Sequence, residues 1–338
     1  MVTIRQNFDL SGHNTFRMKV SCACYVEYDS PKDLETIDFD SLPKPFLHMG
    51  GGSNLLFKGD FPGTVFHSLV KYIKYFDVGS DHVPVAVGAG VVWDDFVAKT
   101  CADGLWGAEN LSLIPGEVGA AAVQNIGAYG VEAGDIIAGV TCFDTVDRKK
   151  VSFKTPECRY GYRDSIFKDP EVKGRYVITG VLFRLSRNAG PKLEYGNLKA
   201  AIAPCEGDIT PAQVREAVIG VRRGKLPDPA ETGSAGSFFK NPVLSGPQFA
   251  AICQGYETVP HYVLDGGFVK VPAAWMIEQC GFKGAEVGGA AVYEKQPLVI
   301  VNATGEASPQ DVIALEEKII SGVREKFGVE LHPEVEHV

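Results

Sequence analysis

The chain has 338 residues, of which 45% are hydrophobic and 22% are charged, and its net charge is -9. This composition is that of a globular protein and excludes a disordered or fibrous chain, and the length predicts two or three domains. The acidic balance argues against a protein that holds nucleic acid on a broadly basic surface, so we expect no nucleic-acid partner.

Neither a membrane segment nor a metal centre is expected. No apolar run reaches the roughly 18–20 residues that span a bilayer, and the first residues lack the apolar region of a secretory signal. The eight cysteines are scattered, and the seven histidines have no metal-binding spacing. We therefore expect a cytoplasmic protein with reduced cysteines, no membrane association and no metal.

Strands and helices are predicted in an irregular order, which is typical of an α+β fold rather than of regular βαβ alternation. β-Branched and aromatic runs predict strands at residues 25–28, 83–87, 140–144, 177–185 and 298–302. Apolar spacing and terminal Ser, Pro and Gly residues predict helices at residues 93–102, 211–225, 272–280 and 309–327, and a helix start at Pro31. Residues 226–229 break regular structure and predict a domain boundary.

Two glycine-rich segments are the strongest candidates for a ligand site. Residues 50–54 read Gly-Gly-Gly-Ser-Asn after an apolar strand, and residues 114–130 hold four glycines and four alanines. Backbone N–H groups can converge on an anion where no Cβ atoms intervene, so together the segments predict a dinucleotide held by two loops. The alternatives are an ordinary glycine turn and a tightly packed loop or small-residue helix. The Rossmann and P-loop fingerprints are absent.

Three further stretches carry polar side chains, none of which indicates a function by itself. Arg163 and Asp164 by themselves indicate a surface ion pair. Ser237 is followed by two phenylalanines and is not in a G-x-S-x-G elbow, so it fits an acid or hydrogen-bond donor better than an activated nucleophile. Glu334 alone is typical of a solvated residue near a chain end.

These five stretches, in this order, resemble those of the UDP-N-acetylenolpyruvoylglucosamine reductases (MurB). Further matches are residues 14–16, 222–227 and 288–292, so the resemblance covers nearly the whole chain. It implies an α+β protein with an FAD-binding fold of the vanillyl-alcohol-oxidase-like type in two subdomains, followed by a C-terminal α+β substrate domain. The expected boundaries are residues 1–70 and 71–225 for the FAD-binding subdomains, 226–326 for the substrate-binding domain and 327–338 for a C-terminal strand that returns toward the FAD site.

The resemblance also implies an enzyme, a UDP-N-acetylmuramate dehydrogenase with FAD and NADPH as cofactors. The implied reaction reduces the enolpyruvyl ether of UDP-N-acetylglucosamine to UDP-N-acetylmuramate, in peptidoglycan biosynthesis and hence in cell-wall biogenesis, cell shape and cell division. The expected partner is the small-molecule substrate, UDP-N-acetyl-3-O-(1-carboxyvinyl)-glucosamine, and the expected state is a monomer. Two alternatives stay open: another FAD-dependent oxidoreductase of the same fold, and a non-catalytic flavin-binding regulatory protein.

The family motifs carry site residues onto this chain. They imply that Arg163, Ser237 and Glu334 are catalytic, with Arg163 and Glu334 beside the substrate carboxylate and Ser237 as proton donor. The long form of the family implies that Tyr195 closes over the substrate, from residues 186–211 that resemble an insertion with little structure of its own. Glu336 is a departure, because the family usually has a basic residue there.

The remaining predicted site residues bind ligands. The other substrate-binding residues are Lys225, Asn241, Lys283 and Gln296. The FAD-binding residues are Gly50, Gly51, Gly52, Ser53, Asn54, Pro115, Gly116, Gly119, Ala120, Gln124, Asn125, Gly127, Ala128 and Tyr129.

Overall fold

The structure, a computed structural model, describes residues 1–76, 79–202 and 207–338. The chain forms two compact units, each built from three separate stretches. The first unit comprises Met1–Phe8, Ser21–Gly51 and Phe61–Gly224, and the second comprises Asp9–Val20, Gly52–Asp60 and Lys225–Val338. The finer division into two FAD-binding subdomains, a substrate domain and a returning strand stays a prediction.

The described residues contain short strands and helices of both units. In chain order the strands are β1 (Val2–Asp9), β2 (Ser21–Tyr28), β3 (Phe46–Met49), β4 (Leu55–Leu56), β5 (Phe61–Ser68), β6 (Ile73–Tyr75), β7 (His82–Gly88), β8 (Gly127–Ala128), β9 (Val131–Glu132), β10 (Ile137–Asp144), β11 (Lys149–Lys154), β12 (Tyr176–Ser186), β13 (Gly233–Ser237), β14 (Val243–Ser245), β15 (Tyr262–Val263), β16 (Phe268–Lys270), β17 (Glu286–Val287), β18 (Ala290–Val292), β19 (Val299–Asn302) and β20 (Glu336–His337). The α-helices are α1 (Trp93–Ala102), α2 (Val118–Gln124), α3 (Ala133–Ile136), α4 (Leu198–Ile202), α5 (Pro211–Lys225), α6 (Gly246–Cys253), α7 (Ala273–Gln279) and α8 (Pro309–Phe327).

The first unit contains two larger sheets and an aromatic core. One sheet has the order β1-β2-β5-β3, and the other is antiparallel with the order β11-β10-β12-β7-β6. Helix α1 packs on the antiparallel sheet, where Phe96 stacks on Phe183 with ring centroids 4.5 Å apart. Val118 and Ala122 of α2 belong to the same buried cluster. The predicted ligand-binding segment around α2 is therefore supported by a packed core, which restricts its movement.

The second unit combines short strands with the long helix α8. Its sheets have the orders β13-β19-β18-β17 and β14-β16-β15, and β4 pairs with β20 in parallel. The apolar face of α8 is buried, through Val312, Leu315, Ile319 and Val323. Burying this face stabilises the helix against the short strands β17 and β18, which would be marginal alone.

The predicted ends of helices α1 and α8 are confirmed. Helix α1 has the predicted bounds. Helix α8 begins after Ser308, whose hydroxyl accepts a hydrogen bond from the Asp311 backbone N–H at 3.2 Å, and it ends before Gly328, which has φ 65°. Helix α7 is one residue shorter at each end than predicted, because Pro272 and Cys280 are its capping residues.

Residues 186–211 contain more structure than the sequence predicts. Leu198 and Ile202 of α4 are buried against Trp106 and helix α5. Helix α4 has only five residues, too few for an apolar period to be visible in the sequence. Residues 203–206 of the predicted insertion lie outside the described residues.

Two negative findings apply to the part of the chain that the structure describes. None of its helices is both long and apolar enough to cross a bilayer. It holds no group of three or more His, Cys, Asp or Glu side chains arranged to bind a metal ion. The cytoplasmic location, the monomeric state and the absence of a metal stay predictions.

Candidate active site

Gly50 and Gly51 of the first glycine-rich segment lie against the second segment, in the first unit. A Cβ atom built on Gly50 would lie 3.2 Å from the Cβ of Glu117 and 3.3 Å from the Cβ of Ala120. A Cβ built on Gly51 would lie 3.7 Å from the Cα of Gly116, and Gly51 is exposed. The structure thus brings together residues of both segments, as a site built from two loops requires.

Gly52 is required by the fold itself. Its φ is 62°, in the left-handed region that favours glycine. A Cβ atom there would collide with the carbonyl oxygen of His13 and would lie 2.9 Å from the Cα of Asn14. The carbonyl of Gly52 accepts a hydrogen bond from the Thr15 backbone N–H at 3.3 Å. Adjacent glycines in one motif therefore meet different constraints: a Cβ would collide with backbone at Gly52 and would make only an ordinary van der Waals contact at Gly51.

Gln124 and Asn125, at the end of helix α2, differ in whether their side chains have hydrogen-bond partners. The Gln124 amide oxygen accepts a hydrogen bond from Lys168 Nζ at 2.9 Å, whereas its buried Nε2 has no hydrogen-bond partner. Asn125 donates to Glu132 Oε2 at 2.7 Å and to the Gly161 carbonyl at 2.8 Å. Since buried polar groups are normally paired, the Gln124 nitrogen is suited to a polar ligand. The residues present therefore fit FAD.

The other predicted FAD-binding residues lie in several elements of the two units. Gly119 packs against Ala89 at the end of β7, where an added Cβ would lie 2.9 Å from the Ala89 Cβ. Pro115 precedes α2, and Ala128 lies in the β8–β9 hairpin. Ser53 follows Gly52 and is half-buried in the second unit.

Arg163 is held against the β8 hairpin of the first unit. Its Nη2 donates to the Gly127 carbonyl at 2.6 Å, and its guanidinium lies over the Tyr162 ring at 5.3 Å from the centroid. A Cβ atom built on Gly127 would lie 2.7 Å from Arg163 Nη1, so this glycine makes room for the guanidinium. The sequence-predicted catalytic arginine is thus fixed by a residue of the predicted FAD-binding segment.

Ser237 and Glu334 approach each other in the second unit. Strand β13 shifts its register with β19 between Ser234 and Ser237, and Gly236 there has φ 71°. Such a bulge re-aims the side chain that follows it. The Glu334 backbone N–H donates to the Phe238 carbonyl at 2.8 Å, so Glu334 lies beside the residue after Ser237.

Tyr195 packs in the first unit against a predicted FAD-binding residue. Its ring meets Tyr129 edge-on, with centroids 6.4 Å apart. The Asn110 side-chain nitrogen donates to the carbonyls of Tyr129 and Lys192, each at 2.9 Å. Asn110 therefore joins the segment that carries Tyr195 to the predicted FAD-binding segment. Sequence reasoning missed it, since nothing in the sequence pairs Asn110 with Lys192.

The other predicted substrate-binding residues belong to the second unit. Lys225 ends helix α5 and is exposed. The Asn241 side-chain oxygen accepts a hydrogen bond from the first backbone N–H of α7 at 2.9 Å. Lys283 forms an exposed ion pair with Glu278 at 3.4 Å, and Gln296 is half-buried. Their contact with substrate stays a prediction.

A histidine that sequence reasoning missed lies behind the glycine contact. His67 Nε2 is 2.9 Å from Glu117 Oε1, and Nδ1 is 3.5 Å from Glu27 Oε1. Burial lowers the pKa of His67, but hydrogen bonds and charge interactions with the two glutamates outweigh burial and raise the pKa above its usual value. A protonated His67 therefore offsets the negative charge of Glu117, which packs against Gly50.

Two protein-family models match separate parts of the chain. A family model described as FAD binding domain matches residues 24–147, and one described as UDP-N-acetylenolpyruvoylglucosamine reductase, C-terminal domain, matches residues 228–338. The UDP-N-acetylenolpyruvoylglucosamine reductase of Bacteroides fragilis (strain ATCC 25285) is 48% identical over 337 residues, which cover 99% of this chain and 100% of that protein. The enzyme of the same name from Porphyromonas gingivalis is 44% identical, with 99% of both chains covered.

A solved structure supports the same fold. The UDP-N-acetylenolpyruvylglucosamine reductase (MurB) of Thermus caldophilus matches with a TM-score of 0.68 and 24% identity, and the match covers 100% of this chain and 98% of that one. The predicted α+β FAD-binding fold, FAD as cofactor and an enzymatic role are confirmed. Because its full-length relatives exceed 40% identity, the chain belongs to the UDP-N-acetylenolpyruvoylglucosamine reductase family.

Proposed function

We propose that this protein catalyses the NADPH-dependent reduction of the enolpyruvyl ether of UDP-N-acetylglucosamine, with FAD as the hydride carrier. The similarity to reductases of that name over the full length of the chain is the observation that carries this proposal. The product would be UDP-N-acetylmuramate, a peptidoglycan precursor made in the cytoplasm. One hydride and one proton add across the enol double bond, and NADPH is oxidised to NADP⁺.

The two glycine-rich segments would hold the FAD diphosphate. Gly50, Gly51 and Gly116 offer backbone N–H groups without intervening side chains, and Gln124 offers an unpaired amide nitrogen. Backbone donors can meet the two negative charges of a diphosphate in a protein whose net charge is -9. When bound, FAD supplies the hydride that it has taken from NADPH.

Arg163 would polarise the substrate carboxylate. Hydride addition to the methylene carbon places negative charge on the adjacent carbon and its carboxylate, and a fixed guanidinium stabilises that charge. The contacts of Arg163 with Gly127 and Tyr162 hold its guanidinium before substrate arrives, so little reorganisation is needed in the transition state.

Ser237 would donate the proton that completes the reduction. A serine hydroxyl is a weak acid, but the carbanionic centre beside a carboxylate is a strong base, so transfer over one hydrogen bond is feasible. Glu334 would lie beside the substrate carboxylate. Its backbone bond to Phe238 supports a shared role with Ser237.

The remaining substrate groups would be met by polar and aromatic side chains. Lys225 and Lys283 are cations suited to the UDP diphosphate. Asn241 and Gln296 would hydrogen-bond to the sugar or base. Tyr195 has an apolar ring that can cover the nucleotide and a hydroxyl that can reach a phosphate oxygen at the same time.

The visible spectrum of the purified protein under anaerobic conditions tests the proposal. NADPH should bleach the yellow flavin, and the enolpyruvyl substrate should restore the colour with formation of one UDP-N-acetylmuramate per flavin. Bleaching without recovery would favour another flavin oxidoreductase of this fold. A bound flavin that NADPH does not reduce would favour the non-catalytic alternative.

A further inference from the structure

The last seven residues form a segment, here called the C-terminal strap (residues 332–338), that exchanges hydrogen bonds with two other segments of the second unit. Its first half pairs with residues 238–240, through bonds from the Lys240 N–H to the His332 carbonyl at 2.9 Å and from the Glu334 N–H to the Phe238 carbonyl at 2.8 Å. Its second half pairs with residues 54–58 in the parallel β4–β20 pair. The strap therefore changes partner in its middle.

Asn54 is the residue at which the strap changes partner. Its side-chain Nδ2 donates to the Glu334 carbonyl at 3.1 Å, and its backbone carbonyl accepts from the Glu336 N–H at 2.9 Å. One residue thus holds the peptide groups on both sides of Val335, which is itself buried. Glu334 consequently has its N–H bonded to Phe238 and its carbonyl bonded to Asn54.

We propose that Asn54 is a positioning residue for the reaction, which acts by fixing the backbone of Glu334 relative to Ser237. This inference rests on the proposed function, in which both residues are catalytic. The position of Asn54, two residues after the glycine triplet, suggests an FAD ligand, but its donor amide is directed at the strap. An error of about 1 Å in a catalytic group can cost a hundredfold in rate, so one bond to its backbone can matter.

The test compares Asn54→Asp and Asn54→Ala with a matched control, Gln310→Ala. Asn54→Asp has nearly the same shape, but an ionised carboxylate cannot donate to the Glu334 carbonyl. The control removes a different side-chain amide. Gln310 Nε2 donates to the Lys58 carbonyl at 3.3 Å, so it bonds to residues 54–58 and not to the strap.

Both Asn54 variants should keep their FAD and their rate of flavin reduction by NADPH within about twofold. Reoxidation by the enolpyruvyl substrate should slow by at least about tenfold, a fraction of the effect expected for a displaced catalytic group. Gln310→Ala should change neither half-reaction. Loss of FAD, equal slowing of both halves, or failure of both variants to fold would overturn the proposal and make Asn54 an FAD ligand or a purely structural residue.

Hydrogen exchange gives a readout that does not depend on turnover. The backbone amides of Glu334 and Glu336 should exchange faster in both Asn54 variants than in the wild type and in Gln310→Ala. Unchanged exchange would overturn the positioning role even in an active enzyme. Conversely, a wild-type protein that fails to reduce the enolpyruvyl substrate would contradict the proposed function, while exchange still decides whether Asn54 holds the strap.

Discussion

The C-terminal strap and the segment around Tyr195 each carry a side chain predicted to act on substrate, but they are held in different ways. The strap is bonded through its backbone to two segments of the second unit, and Glu334 is bonded at both its N–H and its carbonyl. The Tyr195 segment contacts the rest of the first unit through side chains, among them Asn110, Tyr129 and Leu193, which packs against a buried cluster. Backbone pairing resists local opening better than isolated side-chain contacts do.

The difference matches the tasks proposed for the two segments. A group that acts on a developing charge must be in place before the transition state forms. A residue that covers the substrate must instead move aside to admit it. This comparison predicts that the strap is fixed in the free protein and that the Tyr195 segment moves.

The largest expected difference is in hydrogen exchange without ligand. The hydrogen-bonded backbone amides of Glu334, Glu336 and Val338 should exchange at least about a thousandfold more slowly than the amides of residues 190–197. The reason is that local opening free energies differ by several kcal/mol between paired and loosely held backbone. UDP-sugar should protect residues 190–197 and leave the strap unchanged. Equal protection of both segments without ligand would break the comparison, as would a Tyr195 segment that ligand does not protect.

Replacing Ser237 tests the proposed proton donor, which lies beside the strap. Ser237→Ala should slow flavin reoxidation by the enolpyruvyl substrate by at least about a hundredfold, the usual scale for loss of a general acid. Flavin reduction by NADPH should be nearly unchanged, because that half needs no proton at the substrate carbon. Stopped-flow spectroscopy measures the two halves, with Ser245→Ala, at the start of α6, as the control. Equal slowing of both halves would indicate a structural role.

Replacing two adjacent glycines separates the stability of the fold from the binding of FAD. Gly52→Ala should lower the free energy of unfolding by about 2 kcal/mol or more, since the residue has a left-handed φ and its Cβ would collide with His13. Gly51→Ala should leave stability unchanged, because its Cβ makes ordinary contacts, and Gly51→Val should release FAD. Urea unfolding and flavin content measure the two effects. Full FAD retention in Gly51→Val would remove Gly51 from the cofactor site.

The smallest effects are expected for the Tyr195 segment. Tyr195→Phe should raise the substrate KM about fivefold, the value of one hydrogen bond of about 1 kcal/mol, with flavin reduction by NADPH unchanged. Asn110→Ala should also raise KM, because it frees the Lys192 backbone from the Tyr129 segment. Steady-state kinetics with Tyr176→Phe as the control measures both. An unchanged KM in Tyr195→Phe, together with absent ligand protection, would make Tyr195 a structural residue.

The sequence predicted correctly those structural features that depend only on residues close together in the chain. Ser308 and Gly328 delimit helix α8 because capping and left-handed backbone depend on residues within one turn. The small residues near positions 50 and 116 predicted backbone close to a ligand, and in the structure these segments are in contact. The five-residue helix α4 was not predicted, because its two buried residues are too few to show a period.

By itself, the sequence determined the fold class, the family and the candidate catalytic set, since these follow from patterns and motifs that can be recognised before any contact between residues is known. Only the tertiary structure decided what supports each of these residues. Asn54 meets Glu334 across 280 residues of chain, and Asn110 meets Lys192 across 82. A single hydrogen bond between residues so far apart leaves no periodic or compositional trace, because it depends on how two segments pack rather than on either segment alone.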